Sequence, residues 1–282
     1  MTDGVNLGGI AIPSNADAGW VLQSLSDWMS VTSPKSDPDE MQGAHGSFAP
    51  GTLWRKSAVC TIVVAWIGDD VSDLERGVRD LNALAAMSRM MRMKATFGGV
   101  TLYRNVWVES VNVPDHHERT SLGGISIDVR SDSPFAYGET VTASCGRPTA
   151  GAGIADPIVE PVSVDGSDGD PGRCAFANIG TASTPLLLTV SGGGMTQGVR
   201  LRRVETGETL ELAFPILPGQ SCVFDSASHR VTLDNQSALN GYLTVDDWFD
   251  APAGETTTVQ FEPLGDITGN PTLTLTAAPA WY

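Results

Sequence analysis

"GETLELAFPILPGQSCVFDSASHRVTLDN", residues 207–235, decides how the second half of this 282-residue chain folds. Three short apolar runs, ETLELAF (208–214), SCVFDS (221–226) and HRVTLDN (229–235), are punctuated by LPGQS (217–221), whose Pro-Gly pair marks a tight turn. No helical periodicity is evident across them. The stretch predicts consecutive β-strands.

The same texture continues on both sides. RCAFANIG (173–180), TPLLLTVSG (184–192), GVRLRRVE (198–205), GYLTVDDW (241–248), TTTVQFEP (256–263) and PTLTLTAA (271–278) recur with turn residues between them. ETGET (205–209) closes a hairpin between two alternating runs. Turns every 8–12 residues or so are the signature of a β-sandwich or jelly roll. Residues 173–282 therefore predict an all-β module. Upstream, residues 146–172 are rich in Gly, Pro and Asp and predict a linker, with PIVEPVSV (157–164) as a short extended piece.

Residues 1–145 predict a first domain of mixed character. WVLQSLSDWM (20–29), KSAVCTIVVAWIG (56–68), GVTLYRNVWVESVNV (99–113) and TSLGGISIDVRS (120–131) read as strands. In the third, Leu102, Val106 and Val108 share one face, and Tyr103, Asn105 and Trp107 the other. CTIVVAWIG is apolar on both faces, which predicts cover on both sides. Between them, residues 69–93 place Val71, Leu74, Val78, Leu81 and Ala85 at helical spacing. Asp70 or Ser72 would cap this helix, Met87, Met90 and Met91 would extend its apolar surface, and Arg92 and Lys94 would complement its C-terminal dipole. The fold class is thus mainly β, with an α+β first domain.

Composition removes several function classes. A formal net charge of −16 and a pI near 4.4 argue against a phosphate-backbone partner. Met1 is followed by the polar TDGVNLGG, and no run approaches the ~18 apolar residues of a membrane helix. A soluble chain synthesised in a cytoplasm is expected. Cys60, Cys145, Cys174 and Cys222 form no CxxC pair, so they are expected as buried thiols and not as zinc ligands or a disulfide framework.

Candidate chemistry is sparse. Asp165, Asp168 and Asp170 lack EF-hand spacing and a closing Glu. Asp246 and Asp247 are adjacent on one strand, point to opposite faces and make a poor acid/base pair, even with Asp250 nearby. His116–His117 and His229 sit in turns, and no histidine has an i+4 histidine partner. There is no GxSxG elbow, and SGGGMTQG (191–198) has neither GxGxxG nor a Walker lysine. No catalytic, cofactor-binding or metal residue is assigned, and the chain is not expected to be an enzyme. His45, held in GAHGSF (43–48) before an apolar run, is either an exposed catalytic or metal-binding imidazole or an incidental residue in a bent connection feeding a buried strand.

The order of these elements resembles a known family. GAHGSF precedes a basic-led strand, then comes a helix containing LERGVRDLNAL, and a β pair ends in RSDSPFAYGE (130–139). The second half has FANIGTASTPLLLTVSGGG (176–194), the 207–235 stretch and DDWFDAPAGETTTVQF (246–261). Together these resemble the distal tail protein of long-tailed bacteriophages, a minor tail or hub protein. Asn178-Ile179-Gly180 through Val190, Gly207-Glu208 and Trp248…Pro252-x-Gly254 carry the likeness most strongly. The linker is longer and more acidic than the family pattern, and Glu255 stands where the family commonly has Asn.

The resemblance implies an N-terminal ring domain of β-barrel or sandwich type that assembles as a hexamer, and a galectin-like C-terminal sandwich whose last strand (271–282) can return to the first domain. It implies that GAHGSF is a flexible connection between ring-domain strands, a subunit-contact loop in which His45 needs no chemistry, and it implies a place at the virion tail tip after synthesis in the bacterial host. It also implies a tail tube protein and a tail-associated fibre or lysin protein as neighbours, and DNA passing through without specific binding. A bore that passes DNA should repel it, so part of the −16 charge is expected to line it. The competing expectation is a carbohydrate-binding adhesin in which Trp248 and Tyr242, with Trp281 and Tyr282 as further rings, contact host cell-wall glycan.

Overall fold

The computed structural model describes residues 3–35, 39–48, 52–149 and 169–282. The chain divides into two compact units, Met1–Glu139 with Trp281–Tyr282, and Thr140–Ala280.

The first unit contains β1 (Gly4–Leu7), β2 (Ile10–Pro13), β3 (Gly19–Ser26), β4 (Val59–Ile67), α1 (Val71–Ala86), β5 (Met91–Phe97), β6 (Val100–Asn112), β7 (Leu122–Ser131) and β8 (Ala136–Tyr137). They build one antiparallel sheet in the order β2-β1-β5-β6-β7-β4-β3, with β8 paired to β6. Register shifts in β3, β4 and β6 insert extra residues, and such bulges bend and twist a sheet. Along β6 the period of two holds: Leu102, Arg104, Val106 and Val108 are buried, and Tyr103 and Trp107 are only half-buried. Helix α1 buries Leu74, Gly77, Val78, Leu81 and Leu84, with Asp70 as N-cap accepting from the Ser72 amide at 2.8 Å. A Cβ at Gly77 would lie 3.0 Å from the Trp66 ring and 3.1 Å from Trp20, so glycine lets the helix settle onto this edge-to-face tryptophan pair.

Three expectations are corrected here. The helix ends at Ala86 and does not run to 93, because Ser88 turns left-handed (φ 45) and Met91–Phe97 alternates as a strand with Met93 and Ala95 inward. Arg92 and Lys94 therefore lie on β5, and the helix's last turn has no basic residue. The strand within 56–68 is covered fully on one face only: Cys60, Ile62 and Val64 are buried, whereas Thr61, Val63 and Ala65 are half-buried.

The second unit contains β9 (Val141–Gly146), β10 (Arg173–Ala177), β11 (Leu187–Met195), β12 (Gly198–Arg203), β13 (Thr209–Leu212), β14 (Cys222–Asp225), β15 (Arg230–Leu233), β16 (Ser237–Ala238), β17 (Leu243–Asp246), β18 (Thr256–Leu264) and β19 (Ile267–Ala277). Sheet order is β10-β18-β12-β13-β17 in one layer and β16-β15-β14-β11-β19-β9 in the other. Inward alternation gives the core: Phe176, Val190, Leu201, Phe224, Phe261 and Leu275 belong to one buried cluster. Each such residue stabilises by about 1.5–3 kcal/mol relative to an exposed one.

The expected domain edge at 145 moves upstream. Strand β9 pairs along its length with β19, so residues 141–146 complete the sandwich sheet. At the other end, β19 stays in the sandwich, and Trp281–Tyr282 belong to the first unit. The last strand, β20 (Ala280–Trp281), pairs with β8, Trp281 packs on the first unit's core, and Tyr282 meets Phe135 edge-on at 5.0 Å. The extended piece expected at 157–164, and Asp165 and Asp168, lie outside the described residues.

Candidate functional site

The longest excursion from the first unit's sheet joins β3 to β4. Its described parts form a two-stranded arm. Lys35 donates its amide to the Trp54 carbonyl at 2.8 Å and Lys56 to Ser33 at 3.0 Å. Nearer the tip, Met41 donates to Gly46 and Phe48 to Asp39, both at 2.9 Å. Gly46, with φ 101, supplies the left-handed turn residue, and His45 lies exposed beside it. GAHGSF is thus the tip of an arm.

The arm's side chains are the site's main feature. Met29 is 76% exposed, Trp54 71% and Phe48 62%, with Val31 and Leu53 also exposed. Single exposed apolar residues are ordinary, but this many on one ribbon mark an interaction surface. Lys35, Arg55 and Lys56 place positive charge at its base within an acidic chain.

A buried cation fixes the arm's root. Arg104 on β6 is 1% exposed, donates to the Trp28 carbonyl at 3.1 Å and to Cys60 Sγ at 3.4 Å, and lies 4.8 Å from the Trp28 ring centroid. Its Nε finds no acceptor, and no carboxylate pairs with it among the described residues. Burial pulls the Arg104 pKa down and pushes the Cys60 thiol up. The guanidinium thus clamps the residue at which the arm departs.

In the second unit the family-like motif acts as a loop lock. Asn178, 1% exposed, donates through Nδ2 to the carbonyls of Ala182 (2.8 Å) and Ala251 (3.0 Å) and accepts from the Gly180 amide at 3.1 Å. Its own backbone exchanges hydrogen bonds with Gly254 and Glu255 at 2.9 Å. A Cβ at Gly180 would fall 1.9 Å from the Ala280 carbonyl oxygen. Glu208 reaches Arg203, which is also paired with Glu205 and Glu255. These motif residues hold the fold.

The two candidate glycan rings are at opposite ends of β17. Trp248 is half-buried against the sandwich core, and His229 stacks on it in parallel, 5.1 Å between centroids and 3° between planes. Tyr242 is 51% exposed and meets Phe214 edge-on at 4.8 Å. The remaining candidates fall into structural roles. Asp250 accepts from Ser226 Oγ at 2.7 Å, and Asp170 accepts from the Gly146 and Gly172 amides. His116 pairs with Glu75 of α1 at 3.1 Å. Asp246 and Asp247 are exposed. All four cysteines are buried and free. Among the described residues, no group of three or more His, Cys, Asp or Glu is placed to hold a metal ion, and no helix is long and apolar enough to cross a membrane.

No family model matches the sequence, and no curated protein matches it. Solved structures do match the fold. The SPP1 Dit (gp 19.1) protein, described as a paradigm of the hub adsorption apparatus in phages infecting Gram-positive bacteria, superposes with a TM-score of 0.65 at 14% identity, over 98% of this chain and 98% of that chain. A chain of the phage p2 baseplate in its activated conformation with Sr gives a TM-score of 0.51 at 9% identity, over 97% of each chain.

Proposed function

We propose that this chain is a structural virion protein, the distal tail hub of a long-tailed bacteriophage, whose first unit assembles with identical copies into a ring joining the tail tube to the tail tip. The observation that carries this reading is the uncovered arm. A two-stranded ribbon is marginal by itself, and this one exposes its apolar residues. A neighbouring copy with the chain's prevailing acidity is the natural cover for an arm that is cationic at its base. The full-length likeness to SPP1 Dit supports the same role, since both halves of the chain match together. In this reading the copies form a hexamer, the tail tube protein docks on one side, a tail-associated fibre or lysin protein on the other, and DNA passes without specific binding.

Immunogold labelling of intact particles tests it. Antibodies against this chain are expected to decorate the tail tip, and decoration of the capsid, or of nothing, sinks the proposal. The alternative, a glycan-binding adhesin, rests on the exposed Tyr242 ring. Trp248 contributes less, because its ring is packed between the core and His229. Glycan-array binding lost on Tyr242→Ala would promote that alternative.

A further inference from the structure

Cys145 and Cys174 come from different sheets. β9 is an edge of the six-stranded layer and β10 an edge of the five-stranded layer. In register, Cys145 lies opposite Leu273 and Cys174 opposite Val259, and both thiols point into the same core, 8% and 4% exposed. The chain leaving Cys145 and the chain returning to Cys174 are laced together. Gly146 and Gly172 both donate to the Asp170 carboxylate, at 3.2 and 2.8 Å, and Thr149 and Asp170 exchange bonds at 2.8 and 2.9 Å. A Cβ at Gly172 would lie 2.6 Å from Pro148, so the two segments are in direct contact. The strands bearing the thiols are therefore held side by side.

The thiols themselves are in hydrogen-bonding contact. That bond draws the Cys145 pKa below its ordinary value, whereas Cys174, donor and buried, is pushed up. Cys145 is the more exposed of the two and the nearer to the adjoining cleft at Arg147–Thr149, which makes it the attacking sulfur and Cys174 the resolving one. The other two cysteines have no thiol partner of this kind: Cys222 is pushed up to about 12 by burial, and Cys60 sits on Arg104.

We propose that Cys145 and Cys174 are a redox modification site, closing to a disulfide that ties the edges of the two sandwich sheets. The co-reactant is a low-molecular-weight disulfide. The Cys145 thiolate attacks one of its sulfurs, breaking that S–S bond and releasing one small thiolate. Cys174 loses its proton to the released thiolate and attacks the Cys145 sulfur of the mixed disulfide, expelling the second small thiolate. The two protein thiols are oxidised by two electrons, and the small disulfide is reduced to two thiols. A cleft of about 510 Å³ lined by Arg147, Pro148, Thr149, Glu262, Pro263 and Ile267 opens beside the chain just past Cys145 and offers an approach.

The full chain is incubated with oxidised glutathione and, in parallel, with a reductant, then alkylated under denaturing conditions and mapped by mass spectrometry. The expected result is loss of two thiols, an intact mass lower by about 2 Da, and one cross-linked peptide joining Cys145 to Cys174. Closing a loop of about 30 residues should raise the sandwich melting temperature by roughly 10 °C, reversibly on reduction. Cys145→Ser and Cys174→Ser each abolish the shift, and Cys60→Ser and Cys222→Ser keep it. The unmodified chain reads the site directly, so a variant that fails to fold leaves the test intact. Four alkylatable thiols after oxidation, glutathione retained on Cys145, a cross-link between other cysteines, or a bond without a thermal shift would each overturn the proposal.

Discussion

Trp54→Ser is the sharpest test of the arm. Trp54 is 71% exposed, which for an indole side chain is about 180 Å² of surface. At about 25 cal/mol per Å², covering all of it would contribute about 4.5 kcal/mol. Truncated interface tryptophans commonly lose about 2–4 kcal/mol, which sets the expected loss per contact. Affinity between copies should therefore fall by about 30- to 1000-fold. The folded chain loses nothing comparable, because exposed substitutions usually stay within about 0.5 kcal/mol. Its melting temperature should move by less than about 2 °C. Sedimentation equilibrium and native mass spectrometry over a concentration series read the assembly, and calorimetry reads the fold. Unchanged assembly in the variant refutes the reasoning. So does a wild-type chain that stays monomeric at the highest concentration it tolerates. A large drop in melting temperature would show that Trp54 serves its own unit.

Three other substitutions probe the supports. Gly180→Ala puts a methyl 1.9 Å from the Ala280 carbonyl oxygen, and its unfolding free energy should fall by more than about 3 kcal/mol, because backbone must move. Denaturant titration checks this, and a loss below about 1 kcal/mol contradicts the contact. Arg104→Ala leaves a cavity and an unpartnered Trp28 carbonyl and should cost about 3–5 kcal/mol, whereas Arg104→Met, which fills the space without a charge, should cost clearly less. Hydrogen exchange should show the arm's root loosening in both. Glu211 is held below the usual carboxylate range by Arg200 first and Thr244 next. A depressed folded-state pKa gives stability that is full above the unfolded value and lost as pH falls through the folded one. Arg200→Met should therefore flatten the acid limb of a stability-versus-pH curve below about pH 5, and an unchanged limb contradicts the pairing.

Alternation made most of this molecule legible in sequence. Runs such as RVTL and TLEL have inward residues that can only be buried one way, and the sandwich follows from how many such runs lie between turns. The helix start was legible because Asp70 and the spacing of Leu74, Val78 and Leu81 agree. Its end was not: MSRMMRM satisfies a helical apolar count as well as it does a strand, and the decision falls to Ser88 and to β5's pairing partners, β1 and β6. Arg104 occupies an inward position that the period of two assigns correctly, but an inward guanidinium is intelligible only once the Trp28 carbonyl is seen above it. The arm was legible through family likeness as a contact loop, but its two-stranded form was hidden. Its ladder joins residues about 20 apart through Pro- and Asp-rich sequence, and neither short-range pattern registers such pairing. The NIG motif was visible as likeness, but its reason, two hydrogen bonds donated and one accepted by a single buried side-chain amide, needed the fold.

The charge distribution constrains how the ring reading works. The second unit's bases are Arg147, Arg173, Arg200, Arg202, Arg203 and Arg230, and several already serve local carboxylates, as Arg200 and Arg203 do. By sequence, residues 140–280 carry 16 acids against six bases and the first unit 17 against 11, so the second unit holds the larger excess (−10 against −6), four of its acids lying outside the described residues. In the ring reading, repulsion of DNA by the bore has to come from the first unit's smaller share, from acids such as Asp17, Asp69 or Asp115, which form no ion pair among the described residues. An arm whose basic root docks on another copy would use up further negative charge at the contact. The bore should accordingly be weakly acidic, and potential mapping of an assembled ring by electron microscopy decides it. A basic bore would hold phosphates in place, and a ring with that lining could not be the passage proposed here.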